Sequence, residues 1–190
     1  DAAHAAGFPA VISHNEKGRH VELSWPELRR QVASLALHLQ AQGVQPGDRV
    51  AAYLPNIPET MVAFLAVVSI GGVWSVCAPD MGTHAVLDRF KQIEPVALIA
   101  CDGVTHGGKD FDRLAVVAEL RAALPSVRHV ILHTNLAESP AEIDQALEIL
   151  RETPVGAIVV VDSNGALYAE QVEILVKKYK AALEGTGKEV

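Results

Sequence analysis

From about residue 49 onward, short apolar runs alternate with longer stretches of helical periodicity, and this alternation constrains the fold more than any other feature of the chain. The apolar runs are 49–54, 73–77, 96–101, 128–133 and 156–161. Segments 58–70, 83–93, 112–124, 140–152 and 168–183 carry apolar residues at the spacing of one helix face. Aliphatic runs without polar alternation are strands buried on both faces, as in a parallel sheet covered by helices. Gly71, Gly72, Pro95, Pro125 and Pro154 stop the helical segments. The expectation is an α/β fold, a three-layer αβα open parallel sheet of about five strands with right-handed crossovers. Strand order cannot be read from the sequence; the regular alternation favours the flavodoxin/Rossmann-like type.

Ahead of this rhythm, residues 9–13 and 20–23 alternate around a turn at 15–18, which predicts an N-terminal β-hairpin. Ser24 is placed to N-cap a helix, Pro26 fits its first turn, and Glu27 is expected to reach back as the second half of a capping box. Leu28, Val32, Leu35 and Leu39 recur at helical spacing, and Gly43 is placed to end the helix in the left-handed conformation.

The chain is 49% apolar and 21% charged, the balance of a folded domain. Its net charge of -7 argues against nucleic acid as a partner. The longest apolar stretch, 61–70, is too short to span a bilayer, and the N-terminus shows no leader pattern. A cytoplasmic protein without membrane contact is expected. No partner is required, although a sheet edge offers a route to self-association. Cys77 and Cys101 sit in apolar runs and read as buried small hydrophobes. Trp25 and Trp74 read as core residues rather than ligand-stacking ones.

Ligands of open α/β sheets bind beyond the carboxyl ends of the strands. The candidate rim is therefore Asn56, Asp80, Asp102, His106, Asp162, Ser163 and Asn164, with His84 and His133 nearby. These carboxylates either form a cation-friendly pocket, such as one for Mg²⁺, or serve as turn and cap residues; the second reading is preferred. No phosphate-binding glycine loop, nucleophile elbow or zinc spacing is present. The loop His106-Gly107-Gly108-Lys109 reads as a surface turn, and Gly185-Thr186-Gly187-Lys188 follows a helix instead of preceding one. His4, His14, His20, His38 and His129 are scattered and read as solvated. No catalytic residue, metal ligand or cofactor is assigned.

Several phrases resemble a known family: 23–28 (Leu-Ser-Trp-Pro-Glu-Leu), 47–59, 70–75 (Ile-Gly-Gly-Val-Trp-Ser), 79–82 (Pro-Asp-Met-Gly), 88–90 and 92–95. Through them residues 7–133 resemble the early part of the large N-terminal domain of acetoacetyl-CoA synthetases, in the acyl-adenylate-forming superfamily. The resemblance implies a Ser/Thr/Gly-rich phosphate loop, a later ribose-binding aspartate and a C-terminal domain carrying a catalytic lysine, none of which this sequence contains. Residues 138–190, through 142–150, 159–168 and 170–179, resemble an α-β-α section of metal-dependent aldolase barrels related to 4-hydroxy-2-oxovalerate aldolase. That resemblance implies metal ligands on a strand beyond residue 190. The two together predict a single α/β domain joined near residue 137 from two enzymes, an engineered chimera and not an enzyme. The alternatives are a residual nucleotide- or CoA-binding module and an incomplete portion of an acetoacetate–CoA ligase.

Overall fold

The computed structural model describes residues 2–136 and 157–161. In chain order the elements are α1 (Ala2–Ala5), β1 (Val11–His14), β2 (His20–Leu23), α2 (Trp25–Ala41), β3 (Arg49–Tyr53), α3 (Pro58–Ser69), β4 (Val73–Cys77), α4 (Thr83–Ile93), β5 (Ala97–Cys101), β6 (Gly103–His106), β7 (Lys109–Asp112), α5 (Leu114–Ala123), β8 (His129–His133) and β9 (Ala157–Val161). The helices expected at 140–152 and 168–183 lie outside the described residues.

Five strands form one parallel sheet in the order β4-β3-β5-β8-β9. Counted along the chain this is 2-1-3-4-5, the flavodoxin order favoured from the sequence. Successive strand residues point to opposite faces, so each strand feeds two cores. Ala51, Tyr53, Leu98, Ala100, Val130 and Leu132 pack on one face with Val86 and Phe90 of α4 and Val117 and Leu120 of α5. Val50, Ala52, Ala97, Ile99 and Ile131 pack on the other with Leu39 of α2 and Ala63 and Val67 of α3. This double burial is why the strands read as unbroken apolar runs. Cys77 joins the first core and Cys101 the second, and β3 lies between their strands. Both are buried free thiols, and burial pushes the Cys101 thiol up to about 12.

The hairpin β1–β2 pairs Val11 with Leu23 and His14 with His20. Leu23 joins Leu28 and Val62 in a third cluster that pins the hairpin to α2 and α3. At the start of α2, the Ser24 hydroxyl accepts from the Glu27 N–H at 3.3 Å, as expected. The expected reciprocal bond is absent from the described contacts of Glu27. Its carboxylate instead accepts from Arg30 at 2.8 and 2.7 Å and from Gln31 at 2.8 Å. These bonds hold the Glu27 carboxyl at about 2, because a fork-shaped guanidinium competes better than one backbone N–H. Trp25 and Trp74 are half-buried at the margins rather than central; Trp74 meets Phe64 edge-on, with ring centroids 6.2 Å apart.

The tight return from α3 into β4 uses both glycines of the Gly71-Gly72 pair. Gly71 has φ +78°, and the Gly72 N–H donates to the Val67 carbonyl at 2.9 Å. A Cβ on Gly72 would lie 2.8 Å from Val67 Cγ1 and 3.0 Å from the Val67 carbonyl oxygen. Gly72→Ala is therefore expected to cost about 1–3 kcal/mol of stability, measured by urea unfolding.

One element was not anticipated. Residues 103–112, read as part of the rim loop and a helix start, form the ribbon β6–β7, with His106 paired to Lys109. Gly107 and Gly108 take φ +58° and +73°, the two positive angles that a two-residue hairpin turn requires.

Candidate functional site

All five sheet strands are parallel, so their carboxyl ends share one rim. In the 2-1-3-4-5 order the connections leave in opposite directions from β3 and β5, and the crevice between those two ends is the topological switch point. Leu54 and Asn56 follow β3 there, and Asp102 follows β5. On one side the rim continues to residues 78–82 after β4. On the other it reaches His133 and Asn135 at the end of β8.

The loop after β4 is held firmly. The Tyr53 hydroxyl donates to the Pro79 carbonyl at 2.9 Å, and the Arg113 Nε–H donates to the same oxygen at 2.8 Å. Arg113 is itself placed over the Phe111 ring, 5.6 Å from its centroid. Tyr53 is buried, and burial raises its phenol above the ordinary range while nearby Arg113 opposes the shift. This clamp holds Pro79, and Asp80 follows it, exposed in the same loop.

Asp102 has a different task. It is buried, and its carboxylate accepts the Asn135 N–H at 2.7 Å and the Leu136 N–H at 2.9 Å. Its backbone carbonyl accepts the Arg113 N–H at 2.7 Å. These bonds tie the ends of β5 and β8 to the start of α5, which is the turn-forming role preferred from the sequence. Asp102→Ala would leave two backbone donors without their charged acceptor. A loss of about 2 kcal/mol is expected, read as a lower thermal midpoint.

Asn56 is exposed in the turn before α3, and His106 stands exposed at the tip of the β6–β7 ribbon, with Nδ1 3.7 Å from Glu16. Asp80 and Asp102 belong to strands two places apart, about 10 Å across the sheet. The rim residues thus share an edge without converging on one point. No group of three or more His, Cys, Asp or Glu suited to a metal ion occurs among the described residues. Asp162, Ser163 and Asn164 lie outside them.

A small pocket of ≈ 40 Å³ opens between the hairpin and the rim, lined by Asn15, Arg19, Glu59, His133 and Asn135 among others. It has room for a few waters. His133 is buried, and burial first, then the positive charge of Arg19, pushes its imidazole down to about 4. Burial raises the Glu59 carboxyl, with its own backbone and Arg19 pulling the other way. The sequence marked His133 only as a neighbour of the rim and did not mark Glu59. The signal for His133 was a histidine closing an otherwise apolar run.

Two histidines read as solvated are half-buried: His38 on α2 and His129 at the start of β8, both lowered by burial. His14 and His20 do contact solvent, and they also contact each other, the His20 Nδ1 lying 3.1 Å from His14 Nε2.

With this geometry in place, comparison with known proteins gives a consistent answer. The model of a family described as AMP-binding enzyme matches residues 1–175. The acetoacetyl-coenzyme A synthetase of Rhizobium meliloti (strain 1021) is 46% identical over 118 residues, 62% of this chain and 18% of that protein. The malonamoyl-CoA synthetase vrtB of Penicillium aethiopicum is 36% identical over 128 residues, 67% of this chain and 18% of its own length. A solved structure, the acetoacetyl-CoA synthetase from Streptomyces lividans, superposes with a TM-score of 0.72 at 45% identity, covering 90% of this chain and 24% of that one. The chain belongs to the AMP-binding enzyme family, and it spans less than a fifth of the length of these curated relatives.

Two expectations fall with these findings. A single family model runs through the supposed junction at residue 137, so the chain is not a chimera and the aldolase resemblance of 138–190 has no support. The relatives are enzymes, so the reading of a fold without activity is overturned as well.

Proposed function

We propose that this chain is the early section of an acyl-CoA ligase that joins acetoacetate to coenzyme A. The observation that carries the reading is the 45% identity to the Streptomyces lividans acetoacetyl-CoA synthetase over 90% of this chain, with its fold retained. In this reading the acid's carboxylate attacks the α-phosphorus of ATP and releases pyrophosphate, and the thiol of coenzyme A then displaces AMP from the acyl-adenylate. Such chemistry depends on a preorganised cradle for the phosphates. The described residues offer no glycine-rich loop for that purpose. Their contribution is one wall of the ligand cleft: the clamped loop 78–82 with Asp80, and the exposed Asn56 and His106 along the same rim.

Grafted in place of the matching quarter of the Streptomyces lividans enzyme, the chain is expected to support acetoacetate-dependent pyrophosphate release. A graft that folds yet turns over no acetoacetate contradicts the reading.

A further inference from the structure

The β1–β2 hairpin has two faces with different company. Ser13, Asn15, Arg19 and Val21 line the small pocket over the rim. Side chains alternate along a strand, so Ile12, His14, His20 and Glu22 share the opposite, outer face, where all four are exposed. His14 and His20 are partners at the last rung before the turn. The Asn15 N–H donates to the Arg19 carbonyl just beyond them, at 3.1 Å. That pattern makes the His14–His20 rung one without backbone bonds of its own, the type at which facing side chains lie closest. The turn is closed twice more: the Gly18 N–H donates to the Asn15 carbonyl at 3.0 Å, and the Arg19 N–H to the Asn15 side-chain oxygen at 2.8 Å. The backbone therefore sets the two imidazoles against each other, with ring centroids 4.4 Å apart.

Their nitrogens are placed with some care. His20 Nδ1 lies 3.1 Å from His14 Nε2 and 3.3 Å from His14 Nδ1. The other nitrogen of His20, Nε2, is 2.9 Å from a Glu22 carboxylate oxygen. A carboxylate only accepts, so this bond puts the proton of a neutral ring on Nε2 and leaves Nδ1 bare beside His14. Two nitrogens on one tetrahedral ion at the usual zinc–nitrogen length stand about 3.3 Å apart. The pair is spaced as ligands are, and Glu22 holds the place of the carboxylate that orients a metal-bound histidine from behind. Without an ion, His14 supplies a proton to the bare nitrogen; with one, each ring turns a lone pair to it.

We propose that the outer face of the hairpin is a two-histidine site for a borderline-soft divalent ion of the Zn²⁺ class, with His14 and His20 as ligands and Glu22 as the positioning residue. Imidazole nitrogens suit such ions, whereas Mg²⁺ and Ca²⁺ take oxygen. No group of three or more His, Cys, Asp or Glu suited to a metal occurs among the described residues, so the protein supplies two positions and water the others. The site is open and exchangeable, unlike a closed structural centre. The cations of the turn stand aside: Lys17 is paired with Asp110 at 3.0 Å, and Arg19 lines the pocket on the other face.

The test titrates Zn²⁺ alone into the 190-residue chain at neutral pH, followed by calorimetry and by the ring resonances of the histidines. The expected result is one ion per chain, with resonance shifts confined to His14 and His20. His14→Ala and His20→Ala are each expected to weaken binding at least about tenfold, and Glu22→Gln about tenfold. All three positions are exposed, so the melting temperature without the ion should stay where it is in the parent chain. His106→Ala is the control; it removes the exposed imidazole at the ribbon tip, near Glu16, and should leave the Kd unchanged. No binding up to about 1 mM Zn²⁺ overturns the proposal. So does parent-like affinity in the His14 and His20 variants, or binding lost in His106→Ala. Parent-like affinity in Glu22→Gln alone overturns the role given to Glu22. Should a histidine variant fail to fold, the parent chain decides: shifts at His14 and His20 support the site, and shifts only at other histidines overturn it.

Discussion

Phe90→Ala is expected to destabilise the chain by about 3–5 kcal/mol, the largest effect of any single truncation considered. Phe90 is fully buried on the inner face of α4, in one cluster with Tyr53, Val86, Leu98 and Leu120. Removing the ring forfeits its transfer from water and leaves a cavity that strands on one side and two helices on the other cannot close. The measurement is the urea midpoint at constant slope. Phe64→Ala is the internal control, since that ring is 39% exposed and its loss should cost less than about 1 kcal/mol. Similar costs at the two positions would mean that α4 is not packed on the sheet.

Mild acid should destabilise the fold through His133. Its imidazole titrates at about 4 in the folded chain against 6.5 when exposed. Between these values the unfolded chain binds the proton and the folded chain does not, so stability rises with pH across the window. The contribution is complete above about pH 6.5 and is lost progressively as pH falls towards 4. At about 1.4 kcal/mol per unit the loss amounts to about 3 kcal/mol. Glu59 works in the opposite sense: burial raises its carboxyl, so it favours the fold in acid and loses that contribution as pH rises through its folded value. His133→Gln separates the two, because it removes one titrating group and leaves Glu59 in place. Thermal midpoints at pH 7.0 and 5.0 should differ clearly in the parent chain and much less in this variant. An unchanged pH slope would show that His133 is not held neutral by burial.

The sheet was legible because burial on both faces leaves no polar residue in β5 and only apolar residues between Arg49 and Tyr53 at the two ends of β3, and because Gly71 and Pro95 stand where the helices must stop. The capping box was half legible: Ser24 performs its part, but the sequence could not show that Arg30 would take the Glu27 carboxylate. The β6–β7 ribbon escaped because its strands, Gly-Val-Thr-His and Lys-Asp-Phe-Asp, are short and polar, and only the paired glycines announce the turn. The pocket escaped for a different reason. Arg19, Glu59 and His133 come from three separate elements, and only the docking of the hairpin over the rim brings them together. Among the described members of the candidate rim, Asp102 serves the backbone while Asn56, Asp80 and His106 are exposed. Asp102 spends its oxygens on backbone donors, a use that a strand-terminal aspartate shares in sequence with any metal ligand.

The 2-1-3-4-5 strand order also sets how the molecule can assemble as it is synthesised. β3 emerges first, and β4 completes one border of the sheet after a single helix. Every later strand, β5, then β8, then β9, is added to the opposite border, each beside the strand laid down before it. The nascent sheet therefore advances in one direction, with a single growing front that moves with translation. The border formed by β4 is complete after two strands, while the opposite border is remade with each strand added.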